Sequence, residues 1–417
     1  MKRDIYLSLK EWKGLNNRRP LLLRGARQTG KTFIVQQFGK EEFESSVYIN
    51  FERNPEYKAI FNTFDPIEIL EKIILFTAQK PEEGKTLLFL DEIQECPEAI
   101  ISLRYFYEEM PDLHIIGAGS LLEFALQSEN FKMPVGRVQY LYLQPMSFGE
   151  FLDALGESAL RKYLLDNHNL VKIPEEIHEK LNETIRKYFI LGGMPGVINE
   201  YINSRDIIRC QRIQRSIIDT YIDDFAKYSK VSSHSLLKKV FNSTPGMTGK
   251  KFVYAHVDRG IKAEKIKEAL ELLETAGILT RVRQTSSSGL PLSSGAHESI
   301  FKIIFLDIGL FHAVSGVYSQ TAKEKDFNAI FKGAVAEQFV GQELIAHQSP
   351  YTRAEIFYWD RRVKSSTAEI DYLIEKDGQI IPVEVKSGPT GRMKSMHMFI
   401  EKHQAKKALK ISPVEHP

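Results

Sequence analysis

The sequence predicts an α/β protein whose first part is a parallel sheet covered on both faces by helices. Three observations predict it. Short unbroken apolar runs alternate with segments of helical spacing over roughly the first third of the chain; a glycine-containing loop follows the first run; and an acidic pair ends a later one.

Taken in order, residues 21–23 form the first strand and lead into the glycine loop, after which residues 32–39 read as a helix. Residues 47–51 are a second strand, and 67–78 an amphipathic helix. Residues 86–90 are a largely apolar run ending in Asp91-Glu92; residues 113–116 end in Gly117-Ala118-Gly119-Ser120; residues 138–143 close the set. From 148 to about 228 the pattern is mostly helical, interrupted by Gly192-Gly193-Met194-Pro195. Residues 262–276 place Ile266, Ala269, Leu270, Leu273 and Ala276 on one helix face, and Gly277 stops that helix. Residues 278–283 then pair with 299–306 across a Ser/Gly-rich loop, 286–295. Helices followed by a two-stranded hairpin describe a winged-helix unit; a helical lid or linker ending in a hairpin is the alternative. The last part opens with a helix at 333–347, continues with strands at 355–359, 368–375 and 379–385, and ends in a basic helix at 392–408. Asp377-Gly378 between two apolar runs is a hairpin turn signal.

A chain of 417 residues exceeds one ordinary core, so several domains are expected. With 43% hydrophobic and 26% charged residues the composition is that of a soluble globular protein, and no apolar run approaches a membrane span. Residues 1–10 lack the apolar core of a signal peptide. Cys96 and Cys210, far apart and without metal-ligand spacing, read as reduced thiols, so a cytoplasmic location is expected. The net charge of +2 does not itself point to nucleic acid, but residues 201–270 carry 14 Lys/Arg against 7 Asp/Glu.

Gly25-Ala26-Arg27-Gln28-Thr29-Gly30-Lys31-Thr32 fits G-x-x-x-x-G-K-[ST] at every fixed position, between an apolar strand and a helix. The glycines let backbone N–H groups surround a β-phosphate, and the helix N-terminus adds its positive end. Lys31 would reach the β- and γ-phosphates, and the Thr32 hydroxyl would ligate Mg²⁺. At the end of the 86–90 strand, Asp91 would hold Mg²⁺ through water and Glu92 would polarise the attacking water.

Near the C-terminus, Asp371 and Glu384-Val385-Lys386 form D-x(12)-E-x-K. Alternation puts Glu384 and Lys386 on one face, and the hairpin brings Asp371 beside them. Two carboxylates can hold Mg²⁺, with the lysine orienting water or stabilising phosphate charge; Glu337 on the preceding helix would complete the site.

These pieces together resemble the prokaryotic AAA-type ATPases that join a P-loop domain to a C-terminal domain of unknown function. The resemblance covers nearly the whole chain through residues 20–32, LFLDEIQ at 88–94, Gly119-Ser120, Gly136-Arg137, LQPMSFGEF at 143–151, residues 192–195, FLDIGL at 305–310, residues 333–344 and residues 369–388. The last segment is also similar to the PD-(D/E)xK nuclease superfamily, with Glu337, Asp371, Glu384 and Lys386 at its acidic and lysine positions. The resemblance implies ATP and Mg²⁺ as cofactors. Ser120 would touch the γ-phosphate or orient water, and Arg137 stands where related ATPases present an arginine to a neighbouring subunit's nucleotide, so a homo-oligomer is implied. Ala118 stands where many relatives have Thr, which weakens a catalytic role there.

The expected fold class is therefore α/β: a P-loop NTPase parallel sheet of the additional-strand type at 1–152, a helical lid or linker at 153–232, a winged-helix-like domain at 233–325 and a restriction-endonuclease-like α/β domain at 326–417. The expected function is a Mg²⁺-dependent ATPase acting on DNA, with the C-terminal cluster as a nuclease site. The alternative is a nucleotide-switched signalling or scaffold protein whose nuclease fold only binds. No membrane partner is expected.

Overall fold

The computed structural model describes residues 1–127, 136–167, 173–228, 231–286, 289–316, 333–363, 366–386 and 393–412. They form two compact units, 1–144 with 349–353, and 145–348 with 354–417.

Unit one is built on a five-stranded parallel sheet of β1 (Leu21–Arg24), β2 (Ser45–Asn50), β3 (Thr86–Asp91), β4 (His114–Ala118) and β5 (Gln139–Tyr142), in the order β2-β3-β4-β1-β5. One strand, β4, thus separates the glycine-loop strand from the acidic strand. Every residue of β3 and β4 is buried, because helices cover both faces and leave no strand position for solvent. Alternation divides the apolar runs between two cores. Leu22, Leu88 and Leu90 pack with Ile69, Ile73, Leu103 and Phe106 on one face; Leu21, Leu23, Leu87 and Phe89 pack with Leu9, Trp12, Ile34 and Phe38 on the other. The helix Pro66–Thr77 starts cleanly because Asp65 accepts from the Ile67 and Glu68 N–H groups and Pro66 supplies a first-turn φ.

Segment 349–353, expected inside the C-terminal domain, belongs to this unit. The Tyr142 N–H at the free edge of β5 donates to the Pro350 carbonyl at 2.8 Å, and the Tyr351 hydroxyl to Glu11 Oε2 at 2.8 Å. The parallel sheet's outermost strand thereby gains a backbone acceptor that a bare edge would lack.

Unit two opens with helices from Phe148–Ala154 to Ala263–Thr275 and ends in a six-stranded mixed sheet. Its strands are β6 (Leu279–Thr285), β7 (Ala296–Phe305), β8 (Ile356–Val363), β9 (Ser366–Lys376), β10 (Gln379–Val385) and β11 (Leu409–Ile411), in the order β11-β10-β9-β8-β6-β7. The hairpin expected at 278–306 forms, but β6 also pairs in parallel with β8. One sheet therefore runs across the boundary expected at 325/326, itself outside the described residues. The helix expected at 392–408 is shorter, Lys394–His403; Gln404 turns left-handed at φ 51° and residues 409–411 pair with β10. Arg392 lies outside the described residues. Asp377 and Gly378, at φ 52° and 70°, are the two left-handed positions of a two-residue hairpin between β9 and β10.

Two sequence motifs find a structural reason here. The Asp307 carboxylate caps the helix Ile308–Ser315 through the Leu310 N–H at 3.0 Å and accepts the Gly193 N–H at 2.5 Å. A Cβ on Gly192 would lie 2.1 Å from Asp307 Oδ1, and one on Gly193 2.2 Å from the Met146 carbonyl. FLDIGL thus clasps the Gly192-Gly193 turn, and only glycine leaves room for it. Glu150 completes a capping box with Ser147, which explains the S-F-G-E in LQPMSFGEF.

Candidate functional site

The parallel strands of unit one bring the ends of β1, β3 and β4 to one edge of the sheet, the edge at which α/β sheets bind ligands. Residues 25–32 leave β1 there. Gly25 and Gly30 have φ of 143° and 95°, and a Cβ on Gly25 would sit 2.3 Å from the Leu143 carbonyl, so both the turn and the close backbone approach need glycine. Thr29 Oγ1 donates to the Ala26 carbonyl at 2.9 Å, and the Lys31 ammonium reaches the Gly25 and Ala26 carbonyls at 2.9 and 2.8 Å. Lys31 therefore lies inside the loop, buried, at the start of the helix Lys31–Glu42. Burial lowers its pKa to about 8, with Glu92 and Asp91 opposing that fall.

Thr32 Oγ1 lies 3.2 and 3.0 Å from the two Asp91 carboxylate oxygens. One hydroxyl and one carboxylate, both hard oxygen donors, fit Mg²⁺, which takes few protein ligands and keeps several waters. Two residues not foreseen from the sequence hold Asp91 in place. Asn50, paired with it across β2 and β3, donates to Asp91 Oδ2 at 3.1 Å, and the Tyr48 hydroxyl donates to the same oxygen at 2.9 Å. The only sequence signal for them is alternation: Val47 and Ile49 point into the core, which turns Tyr48 and Asn50 to the other face. Burial raises the Asp91 pKa, and its hydrogen bonds from Tyr48 and Thr32 pull it back.

Glu92 follows β3 in a left-handed conformation, φ 48°. Its Oε2 accepts from Gln94 Nε2 at 2.7 Å and faces the Ser120 N–H and hydroxyl at 3.4 and 3.5 Å. Ser120, expected at the γ-phosphate, here contacts the carboxylate meant to activate water. Gln94 is a third unforeseen residue, and a Cβ on Gly119 would lie 1.8 Å from its Oε1.

Arg137 precedes β5, at the opposite edge of the sheet from the loop. Leu21 is level with Gln139 and Arg24 with Tyr142, so about 20 Å of strand direction separates Arg137 from Gly25. Its guanidinium pairs with Glu108 on the helix Pro97–Glu109 at 2.8 Å. This placement removes Arg137 from the loop of its own chain.

In unit two, Glu337 stands on the helix Ala334–Ala346, Asp371 on β9, Glu384 on β10 and Lys386 just past it. The Val385 N–H donates to Asp371 Oδ2 at 2.8 Å, so the hairpin does bring Asp371 beside the E-x-K strand, and Lys386 pairs with Glu384. A lysine absent from the expectation stands among them. Lys302 of β7 has its ammonium 2.9 Å from Glu337 Oε2, 2.7 Å from Glu369 Oε1 and 3.7 Å from Asp371 Oδ1. Burial lowers its pKa and the three carboxylates more than reverse that, leaving it raised. Burial raises Glu337, to about 7, and raises Asp371 and Glu384 as well. Among the described residues no three His, Cys, Asp or Glu side chains are placed to hold a metal ion. Of the expected set of Glu337, Asp371 and Glu384, the first two face the Lys302 ammonium. The signal for Lys302 lay in the sequence as a lone lysine inside the apolar run 300–305.

Among the described residues no helix is long and apolar enough to cross a membrane. Curated proteins give no match to this chain. Solved structures similar to it include the Walker-type ATPase PABY2304 of Pyrococcus abyssi, at 16% identity over 75% of this chain and 95% of that one, with a TM-score of 0.48. Others are the Aeropyrum pernix ORC1 protein in complex with DNA, at 12% identity, 76% and 93% coverage and a TM-score of 0.29, and the Thermotoga maritima RuvB Holliday junction branch migration motor, at 18%, 67% and 87%, and 0.30. With TM-scores under 0.5, none of these bears on the chemistry. Family models match in three consecutive stretches: residues 182–321 and 332–416 match two different domains of unknown function. Residues 17–152, the stretch that holds the glycine loop, Asp91 and Glu92, match the AAA domain, so the first unit is an AAA-type P-loop domain.

Proposed function

We propose that the chain is a cytoplasmic, Mg²⁺-dependent ATPase of the additional-strand, catalytic-glutamate type whose hydrolysis drives a rearrangement of its second unit on DNA. The observation that carries the ATPase reading is the meeting of Thr32, Asp91 and Glu92 at one sheet edge beside Lys31. Loop N–H groups and Lys31 would hold the β- and γ-phosphates, and Thr32, with Asp91 through water, would hold Mg²⁺, which would supply neutralisation of phosphate charge. Glu92, oriented by Gln94 and Ser120, accepts hydrogen-bonding from the attacking water and draws a proton from it. Strand β4 between β1 and β3 supports the additional-strand assignment.

DNA as the partner rests on the basic excess of residues 201–270 and on a winged-helix reading of the helices and hairpin that follow. The test is ATP turnover with and without duplex DNA over a salt series. Stimulation that fades steeply as salt rises supports the reading, because phosphate contacts release counterions. Turnover indifferent to DNA at low salt removes it.

A second reading, a nucleotide-switched scaffold whose nuclease-like part binds without cutting, is favoured by the ion pairs that already engage Glu337, Asp371 and Glu384. Nicking of supercoiled DNA with Mg²⁺ or Mn²⁺, lost on Asp371→Ala, would decide against it.

A further inference from the structure

The run 300–305, Ile-Phe-Lys-Ile-Ile-Phe, would be an ordinary core strand without its lysine. Lys302 is 2% exposed in β7, level with Val282 of β6, and its ammonium also lies 5.3 Å from the centre of the Tyr358 ring. A buried ammonium is costly unless carboxylates and hydrogen bonds surround it. Here Glu369 and Glu337 supply both at 2.7 and 2.9 Å, with Asp371 at 3.7 Å.

The placement also uses up what a divalent ion would need. Asp371 has one oxygen turned to Lys302 and the other on the Val385 N–H. Glu337 gives Oε2 to Lys302, while its backbone carbonyl takes the Tyr372 hydroxyl at 2.6 Å and so fixes the helix against β9. Glu384 gives Oε1 to Lys386 and keeps Oε2 buried with no hydrogen-bond partner among the described residues. Mg²⁺ or Mn²⁺ would require these oxygens to converge at about 2.0–2.6 Å on one point. That point would adjoin the Lys302 ammonium, whose charge repels a divalent ion in a low-dielectric interior.

We infer that Lys302 is the resident cation of the C-terminal carboxylate cluster, standing where a divalent metal would stand and masking a latent metal site formed by Glu337, Asp371 and Glu384. The cluster is then a charge-balanced joint that ties β7, β9 and the helix Ala334–Ala346 together, and the unpartnered Glu384 oxygen is the ligand that remains for an ion if the lysine is removed. This rests on the second, non-cutting reading of the unit and adds its physical cause.

The test is Mn²⁺ binding by electron paramagnetic resonance on the full-length, nucleotide-free protein. Wild type is expected to bind no Mn²⁺ that Glu384→Gln removes. Lys302→Met, which keeps the stem and drops the charge, is expected to bind one Mn²⁺ at least tenfold more tightly than wild type, and the Lys302→Met/Glu384→Gln double variant to lose it. Folded Lys302→Met with no gain over wild type overturns the inference. Because Lys302→Met leaves buried carboxylates unpaired and can fail to fold, the wild-type titration stands alone as a second measurement: Mn²⁺ bound by wild type and released by Glu384→Gln overturns the inference whether or not DNA is cut. Cutting of DNA without such binding would overturn only the non-cutting reading.

Discussion

Lys31 and Glu92 make different demands on the same site, and their substitutions should part accordingly. Lys31→Ala leaves the loop N–H groups but removes the one ammonium inside the loop, and it should abolish most nucleotide binding. Retained affinity in a fluorescent-nucleotide titration would contradict that role. Gln94→Ala, by contrast, should spare binding and lower turnover, because only the orientation of the Glu92 carboxylate is lost. The buried acids of unit two titrate in the unusual direction. Burial pushes Asp307 up to about 6 and Glu343 up to about 7, so the folded chain holds those protons more tightly than the unfolded chain. Stability from them is fullest below the ordinary carboxylate range and is lost as pH rises through 6 and 7. The melting temperature should therefore fall between pH 5 and 8, and Glu343→Gln, which keeps an acceptor for the Phe148 N–H, should flatten that fall. An unchanged slope in the variant would show that Glu343 is not its source.

Elements were legible where one strand and its flanks carry the whole signal. β1 with its loop, and β3 with Asp91-Glu92, are set by local sequence, and they hold most of the candidate site. What pairing decides was not legible. Tyr48 and Asn50 reach Asp91 only because β2 lies beside β3 with Asn50 level with Asp91. β6 joins β8 in one sheet, and segment 349–353 leaves its sequence neighbours for the edge of β5, through contacts far apart in the chain. Lys302 was visible as a charge in an apolar strand, yet its three partners come from one helix and another strand. At this scale a strand buried on both faces is the sensitive one. Leu88→Ala, fully buried in β3, should cost about 2–5 kcal/mol, read by denaturant unfolding of the first unit. A loss under about 1 kcal/mol would mean that β3 is not packed between helices as described.

For the whole molecule, Arg137 is the residue whose position demands a partner if it is to matter for hydrolysis. It stands at the sheet edge remote from its own loop and is held by Glu108. Arg137→Ala should hydrolyse slowly alone and recover when mixed with Lys31→Ala subunits, since mixed assemblies join an intact loop to an intact arginine. No recovery in a preparation shown to exchange subunits would leave Arg137 as a surface ion pair. The central claim is that ATP is hydrolysed where Thr32, Asp91 and Glu92 meet. The direct measurement is steady-state ATP turnover of Glu92→Gln beside its ATP affinity. The expected result is unimpaired binding with turnover about a hundredfold slower, the scale of losing a positioned general base. Turnover equal to wild type, with ATP still bound, would contradict it.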